Sequence, residues 1–264
     1  MPSEKSFIDT NSVPQKSEMV SEQIEKQWDK MASSYEWSGF EKEVVEKEFV
    51  KTIGEVQNKK ILDLGSGPGN MARILAKNGA SVTGIERSEG MLNRAKKEEE
   101  ALSQGIRYFQ SDLMKIDEIS EIKEELFEKG IFSFVLHNID PVENMSEILK
   151  KASEKIIKGG QIIALDPHAV TEYMHHTKDT TREAVKEGGY KEHFQIKITL
   201  NSQDGSKTII QHKHRTLGEY INAFAKAGLR IVEFREITAP EELKNEYPDE
   251  YKTPFFQIIV AEKM

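Results

Sequence analysis

The feature that most constrains this chain is the run Ile61-Leu62-Asp63-Leu64-Gly65-Ser66-Gly67-Pro68-Gly69. A short apolar stretch breaks into three alternate glycines, and a helical pattern follows from residue 70. Glycines admit positive φ and let backbone approach a ligand. Amides at a helix N-terminus attract electron-rich groups. In an open α/β sheet such a turn lies at the carboxyl end of a strand, where ligands bind. The same turn also suits a tight strand-to-helix connection that binds nothing, so it needs company.

The surrounding pattern supplies some. Strands are expected over 60–64, 81–85, 106–110, 131–136 and 161–165. Helices are expected over 70–78, 90–102 and 143–157. This alternation implies βαβ units and a mainly parallel sheet. The period changes after Asp166-Pro167, and residues 168–192 read as polar and irregular. Two alternating stretches, 194–200 and 207–212, flank Ser202-Gln203-Asp204-Gly205, and Asp-Gly between such stretches predicts a hairpin. A helix over 216–227 and strands over 229–237 and 255–261 close the chain. At the start, residues 1–18 read as a loosely attached arm. Val20, Ile24, Trp28 and Met31 have helical spacing over 19–35, and a second helix follows over 41–54. The expected organisation is an arm and helical lid over 1–40 and one α/β domain over 41–264. Residues 168–215 are expected to be an insertion that carries the hairpin.

Composition narrows the function. The chain has 264 residues and a formal net charge of -8. Acidity disfavours nucleic-acid phosphates and favours a cationic ligand. There is no cysteine, which removes disulfides, a cysteine nucleophile and cysteine-ligated zinc. His175-His176 would diverge on regular structure, and His212 and His214 share a strand face without nearby carboxylates, so no metal is expected. The N-terminal residues lack the apolar core of a secretory signal, and no apolar run reaches bilayer length. A cytoplasmic protein without membrane contact is the expectation.

Two carboxylates turn the glycine site toward an adenosine. Glu86 ends the second strand, about twenty residues after the turn, where it can accept from two ribose hydroxyls. Asp112 follows the third strand, where it can accept from the exocyclic amine of adenine. Dinucleotide sites use G-x-G-x-x-G, but Asn70 stands where that third glycine would be. Asp63 suits a cationic amino-acid group better than a pyrophosphate. No Gly-Lys-Ser/Thr follows, so a Walker motif is excluded.

At this point the sequence resembles the class I S-adenosylmethionine (SAM)-dependent methyltransferases. The resemblance runs through residues 61–69, Val82-Thr83-Gly84-Ile85-Glu86-Arg87-Ser88-Glu89-Gly90-Met91-Leu92, Tyr108-Phe109-Gln110-Ser111-Asp112-Leu113 and His137-Asn138-Ile139-Asp140. It continues in 214–220 and Ala227-Gly228-Leu229, and spans roughly 40–262. It implies a Rossmann-like, seven-stranded, mostly parallel sheet with helices on both faces, an N-terminal helical lid and an insertion after strand five. It also implies SAM as cofactor, held by Asp63, Gly65, Ser66, Gly67, Glu86, Arg87, Met91, Asp112, Leu113 and His137. The Asn/Asp-Pro-Pro-Tyr sequence of many base-amino methyltransferases is absent after the fourth strand, which counts against a nucleic-acid adenine.

The resemblance places the methyl acceptor among the N-terminal segment, the tips of strands four and five, and the insertion. The acceptor-side candidates are Trp28, Tyr35, Trp37, Phe40, Asp166, His168 and Tyr190. Trp28 has the helical spacing of a core residue, and Trp37 and Phe40, beside Gly39, are equally compatible with anchoring a lid. Tyr35, His137 and Asp166 are candidates for a chemical role. His137 is either a base for a hydroxyl or a structural histidine, and Asp166 either holds an amine or guanidinium or turns the chain before Pro167. The expected reaction is an in-line methyl transfer in which proximity and orientation contribute most. Its acceptor is an amine or hydroxyl of a small molecule or modified peptide. Length, the aromatic N-terminal segment and Asp166 are similar to enzymes that dimethylate the N-terminal arginine of azole-containing peptides such as plantazolicin, which implies natural-product biosynthesis. An RNA or protein methyltransferase, a non-catalytic SAM- or nucleotide-binding module and an NAD-dependent oxidoreductase are the alternatives. The assembly is expected to be a monomer or homodimer.

Overall fold

The computed structural model describes residues 25–37, 39–170, 180–184, 195–201 and 207–264. Its centre is a seven-stranded sheet built from β1 (Lys60–Leu64), β2 (Ser81–Glu86), β3 (Arg107–Gln110), β4 (Phe127–Ser133), β5 (Ile156–Pro167), β9 (Leu229–Ile237) and β10 (Phe256–Lys263). The strand order is β3-β2-β1-β4-β5-β10-β9. Neighbours from β3 to β5 pair in parallel, and β10 runs antiparallel to both β5 and β9. The expected Rossmann-like, mostly parallel sheet is therefore present.

Strand alternation divides the core between the two faces. Ile61, Val82, Ile131 and Ile163 pack with Phe49 and Ile53 of α2 (Glu46–Ile53), Leu75 of α3 (Asn70–Lys77) and Leu92 of α4 (Glu89–Leu102). Leu62, Leu64, Phe132 and Ile162 face the other way. They meet Ile148 and Leu149 of α5 (Glu143–Glu154) and Tyr220 and Phe224 of α6 (Leu217–Lys226). Each such buried aliphatic or aromatic side chain contributes about 1.5–3 kcal/mol. Helix ends are capped by the sequence: Ser88 accepts from Met91 N at 3.2 Å, and Thr216 and Glu219 form a reciprocal capping box. A helix over residues 25–31, here α1, lies N-terminal to the sheet.

Three local expectations need correction. β4 begins at Phe127 and ends at Ser133, because Phe134 turns the chain at φ 60°. Val135 and Leu136 extend the apolar run but belong to the turn. α5 stops at Glu154, and residues 156–157, expected at the helix end, open β5, where Ile156 pairs with Phe127. The stretch 168–192, expected to be irregular, contains β6 (Thr180–Ala184). This strand pairs with β7 (Gln195–Asn201), which pairs with β8 (Lys207–Lys213) in an antiparallel three-stranded sheet. Thr180-Thr181-Arg182-Glu183-Ala184 has no apolar alternation, so its strand character comes from its partner. Among the described residues no helix is long and apolar enough to cross a membrane.

Candidate active site

A cavity of about 450 Å³ opens at the carboxyl ends of β1 to β4. The glycine turn contributes Gly65, Gly67 and Pro68, and β2 contributes Ile85, Glu86, Arg87 and Ser88. The β3 tip adds Ser111 to Met114, and the β4 tip adds Ser133 to Val135 and Asn138 to Asp140. Met91 of α4 and Asn144 and Ile148 of α5 complete the floor, while Glu25, Trp28 and Tyr35 close over it.

The turn owes its path to glycine. Gly65 has φ 76°, and a Cβ there would meet Val135 Cγ2 at 2.6 Å. Gly67 has φ 54°, and a Cβ there would meet nothing within 4 Å, so its backbone faces open space. Its amide donates to Glu86 Oε2 at 2.8 Å, and the amides of Arg87 and Ser88 donate to Oε1 at 2.8 and 2.7 Å. Burial raises the Glu86 pKa, and these three amides work against that rise. Oε1 thus takes two amides and Oε2 one, which leaves lone-pair capacity for a ligand hydroxyl on Oε2. Asp63 lies beneath the turn and not on the cavity wall. It is 1% exposed, and among the described residues neither oxygen has a donor at full hydrogen-bond distance. Burial, reinforced by the Glu86 charge and opposed by the Ala72 amide, which draws it down, pushes its pKa up to about 7. Ser66 is also buried behind the wall, its amide donating to Ile85 O at 3.0 Å. An open backbone cradle above an uncompensated carboxylate fits a cationic amino-acid group, and the free capacity of Glu86 fits a ribose.

α1 is tied across the cavity mouth by charge. Arg87 donates to Glu25 at 2.6 Å and to Asp112 Oδ2 at 3.1 Å. Asp29 Oδ1 accepts from the Ser88 hydroxyl at 2.6 Å and from Gly90 N at 3.0 Å. Trp28 packs edge-on against Tyr35 at 5.4 Å, and Met31 and Ala32 pack on Met91. Asp112 Oδ1 also accepts from Met114 N, so that carboxylate is held firmly at the β3 tip.

At the opposite end a polar chain runs into the wall. Asp166 Oδ1 lies 2.7 Å from His137 Nδ1, and His137 Nε2 lies 3.0 Å from Asn138 Nδ2. Burial and the Arg215 charge push the His137 pKa down to about 3, and burial pushes Asp166 far up. Both side chains sit behind the wall, and Asn138 is the member that reaches the cavity. Asp140 is on the rim, ion-paired with Lys213 of β8 at 2.5 Å. Arg215 donates to the Ile139 carbonyl.

The sequence candidates therefore part company. Gly65, Gly67, Glu86, Arg87, Met91, Asp112, Leu113, Trp28 and Tyr35 line one cavity, whereas Asp63, Ser66, His137 and Asp166 stand behind it. Trp37 and Phe40 lie in the core, against Phe134 at 5.1 Å and Tyr247 at 5.3 Å, because the β4 turn and the C-terminal segment offer them aromatic partners. His168 is buried and paired with Glu236 at 3.0 Å, away from the cavity. Tyr190 lies outside the described residues. Sequence reasoning passed over Glu25, Asp29, Phe134, Asn138 and Asp140. The His137-Asn138-Ile139-Asp140 tetrad at the β4 tip was a usable cue to the last two.

The fold and the site define a nucleotide-cofactor α/β enzyme, and comparison with known proteins gives its family. A methyltransferase-domain family profile matches residues 55–220, so the chain belongs to the methyltransferase-domain family. An uncharacterised protein of Haemophilus influenzae is 26% identical over 232 residues, covering 84% of this chain and 88% of its own length. A crystal structure assigned to the S-adenosylmethionine-dependent methyltransferases, from Listeria monocytogenes, has a TM-score of 0.62 at 27% identity, covering 83% of this chain and 96% of that one. The glycopeptide N-methyltransferase MtfA shares the fold, with a TM-score of 0.58 at 12% identity over 83% of this chain and 88% of its own. The protein is an S-adenosylmethionine-dependent methyltransferase with SAM as its cofactor.

Proposed function

We propose that this methyltransferase transfers a methyl group to an amine of a small molecule or modified peptide. One observation carries the reading: among the described residues, no free base stands on the acceptor end of the cavity. His137 and Asp166 are behind the wall, and Asp140 is committed to Lys213. Burial raises the Tyr35 hydroxyl above its usual range. A hydroxyl acceptor needs a base to take its proton. A neutral amine already presents a lone pair. The net charge of -8 favours such cationic compounds in their bulk form. The N-terminal arginine of an azole-containing peptide is one acceptor of this kind and belongs in the first screen.

SAM, when bound, supplies an electrophilic methyl. The remaining work falls to this chain's residues. Glu86 accepts from the ribose hydroxyls, Asp112 from the adenine amine, and Met91 and Leu113 flank the ring. The amides of the glycine turn, with Asp63 beneath them, hold the amino-acid end. Trp28 and Tyr35 exclude water. Glu86→Ala is expected to weaken SAM binding at least about 100-fold, since it removes charged hydrogen bonds of about 1.5–3 kcal/mol each. Calorimetry measures it, and near-wild-type affinity would remove Glu86 from the site. For the acceptor, kcat/KM is measured against pH with amines of different pKa. The profile should move with the amine. A profile fixed to one enzyme group, or methylation confined to hydroxyls, overturns the amine reading.

A further inference from the structure

We propose that Asn138 positions the methyl acceptor, its carboxamide oxygen accepting a hydrogen bond from the N–H of the nucleophile. This deepens the amine reading above and rests on it.

The orientation of the Asn138 amide follows from its neighbours. Asp166 Oδ1 accepts from the His137 backbone N–H at 3.4 Å and, as the accepting oxygen whether or not Oδ2 carries a proton, also from His137 Nδ1–H across 2.7 Å. His137 Nε2 is then a lone pair and needs a donor. Asn138 Nδ2 stands 3.0 Å from it and donates to the Phe134 carbonyl at 3.1 Å. Both amide protons are thereby used. Turning the amide over would press its oxygen against a carbonyl oxygen and an imidazole lone pair. The oxygen is consequently the end left for the cavity, whose wall Asn138 forms. Among the described residues it accepts no hydrogen bond.

The sheet order places this oxygen near the reacting centre. Glu86 and Asp112 stand at the tips of β2 and β3, whereas Asn138 follows β4, on the far side of β1. A cofactor with its adenosine toward β2 and β3 directs its other end toward β1 and β4. An amide oxygen there orients an N–H without being basic enough to remove it, so the nitrogen keeps its lone pair. As the N–C bond forms, the C–S bond breaks and its electron pair stays on sulfur. The methylated nitrogen afterwards releases its proton to water. Asn138 is thus a substrate-positioning residue, and Asp166 and His137 act through it by fixing its amide.

Two probes test this before any acceptor is identified. S-adenosylhomocysteine lacks the methyl group, and sinefungin carries an amine on a carbon in place of the methylated sulfur. By calorimetry, the wild type is expected to prefer sinefungin by about tenfold, the value of one hydrogen bond to a charged donor. Asn138→Ala should abolish that preference and leave S-adenosylhomocysteine affinity intact. Asp166→Asn supplies a donor to Nδ1 and moves the imidazole proton to Nε2, which then competes for the Asn138 oxygen. It too should abolish the preference at unchanged S-adenosylhomocysteine affinity. No preference in the wild type, or a preference surviving in Asn138→Ala, overturns the proposal. So does an equal loss of both ligands in Asn138→Ala, which marks a merely structural residue. If only hydroxyl acceptors are methylated while the sinefungin results hold, the amine reading falls and the positioning role of Asn138 stands.

Discussion

At the scale of single residues, Asp63 is held in place at a cost. It is a buried carboxylate with no donor at full hydrogen-bond distance among the described residues, and burial together with the Glu86 charge, against the pull of the Ala72 amide, pushes its pKa to about 7. In the unfolded chain an aspartate titrates near ~3.9. Between those values the folded protein holds more protons than the unfolded one. The group therefore contributes most to stability below about pH 4, and that contribution is lost as pH rises through 7. The loss is at most about 4 kcal/mol, at about 1.4 kcal/mol per pH unit. Asp63→Asn keeps the shape without the charge. It should raise the melting temperature of the ligand-free protein at pH 8 and change it little at pH 4. Thermal melts of both proteins at both values check this, and an equal effect at the two would show that Asp63 stays neutral or stays charged throughout. The site thus keeps a destabilising charge where a cationic ligand is to be bound, a trade familiar at binding sites.

Elements owe their places to partners as much as to their own sequence, and α1 is the clearest case. A helix draws most of its stability from packing rather than from its own propensity. Met31 and Ala32 bury only a small patch against Met91, so the Glu25–Arg87 and Asp29–Ser88 contacts do much of the holding. Asp29→Ala leaves the Ser88 hydroxyl and Gly90 amide without their acceptor, a cost of about 1–3 kcal/mol. Amide hydrogen exchange over residues 25–31 should quicken about tenfold or more, with β1, β4 and β5 unchanged. Exchange that quickens equally across the sheet would mean that α1 belongs to the global folding unit. This dependence also marks where the sequence stops being legible. The strands and helices around the glycine turn announce themselves because each has its own apolar period and its own stop residue. Trp28 could be placed on a helix, but Glu25 and Asp29 could not be seen as its anchors, since their partners lie some sixty residues on. Trp37 and Phe40 looked like lid aromatics because their partners, Phe134 for the one and Tyr247 and Phe256 for the other, are far away in the chain. Asn138 was hidden by the more conspicuous His137 beside it, and only the direction of the polar chain from Asp166 shows which of the two faces the ligand.

Across the whole molecule, the cavity is where separate parts of the chain meet. The tips of four parallel strands form its floor, α1 its cover, and the Lys213–Asp140 pair fastens β8 to its rim. A ligand there binds contacts that exist only in the folded chain, so it must stabilise the fold by mass action. At a concentration of 100 times Kd that amounts to about 2.7 kcal/mol. For a chain of this size, each kcal/mol moves the melting temperature by roughly 2–4 °C. Saturating S-adenosylhomocysteine should therefore raise it by about 5–10 °C and slow exchange in α1 and the glycine turn. Glu86→Ala should lose that rise. Asp140→Asn should keep it, because Asp140 stands on the acceptor rim, away from the β2 and β3 carboxylates. Its effect should appear as faster exchange in β8, where Lys213 has lost a charged partner. If Asp140→Asn removed the ligand-induced rise as completely as Glu86→Ala, the cofactor and acceptor ends would be one inseparable site, and the division of the cavity along the strand order would be wrong.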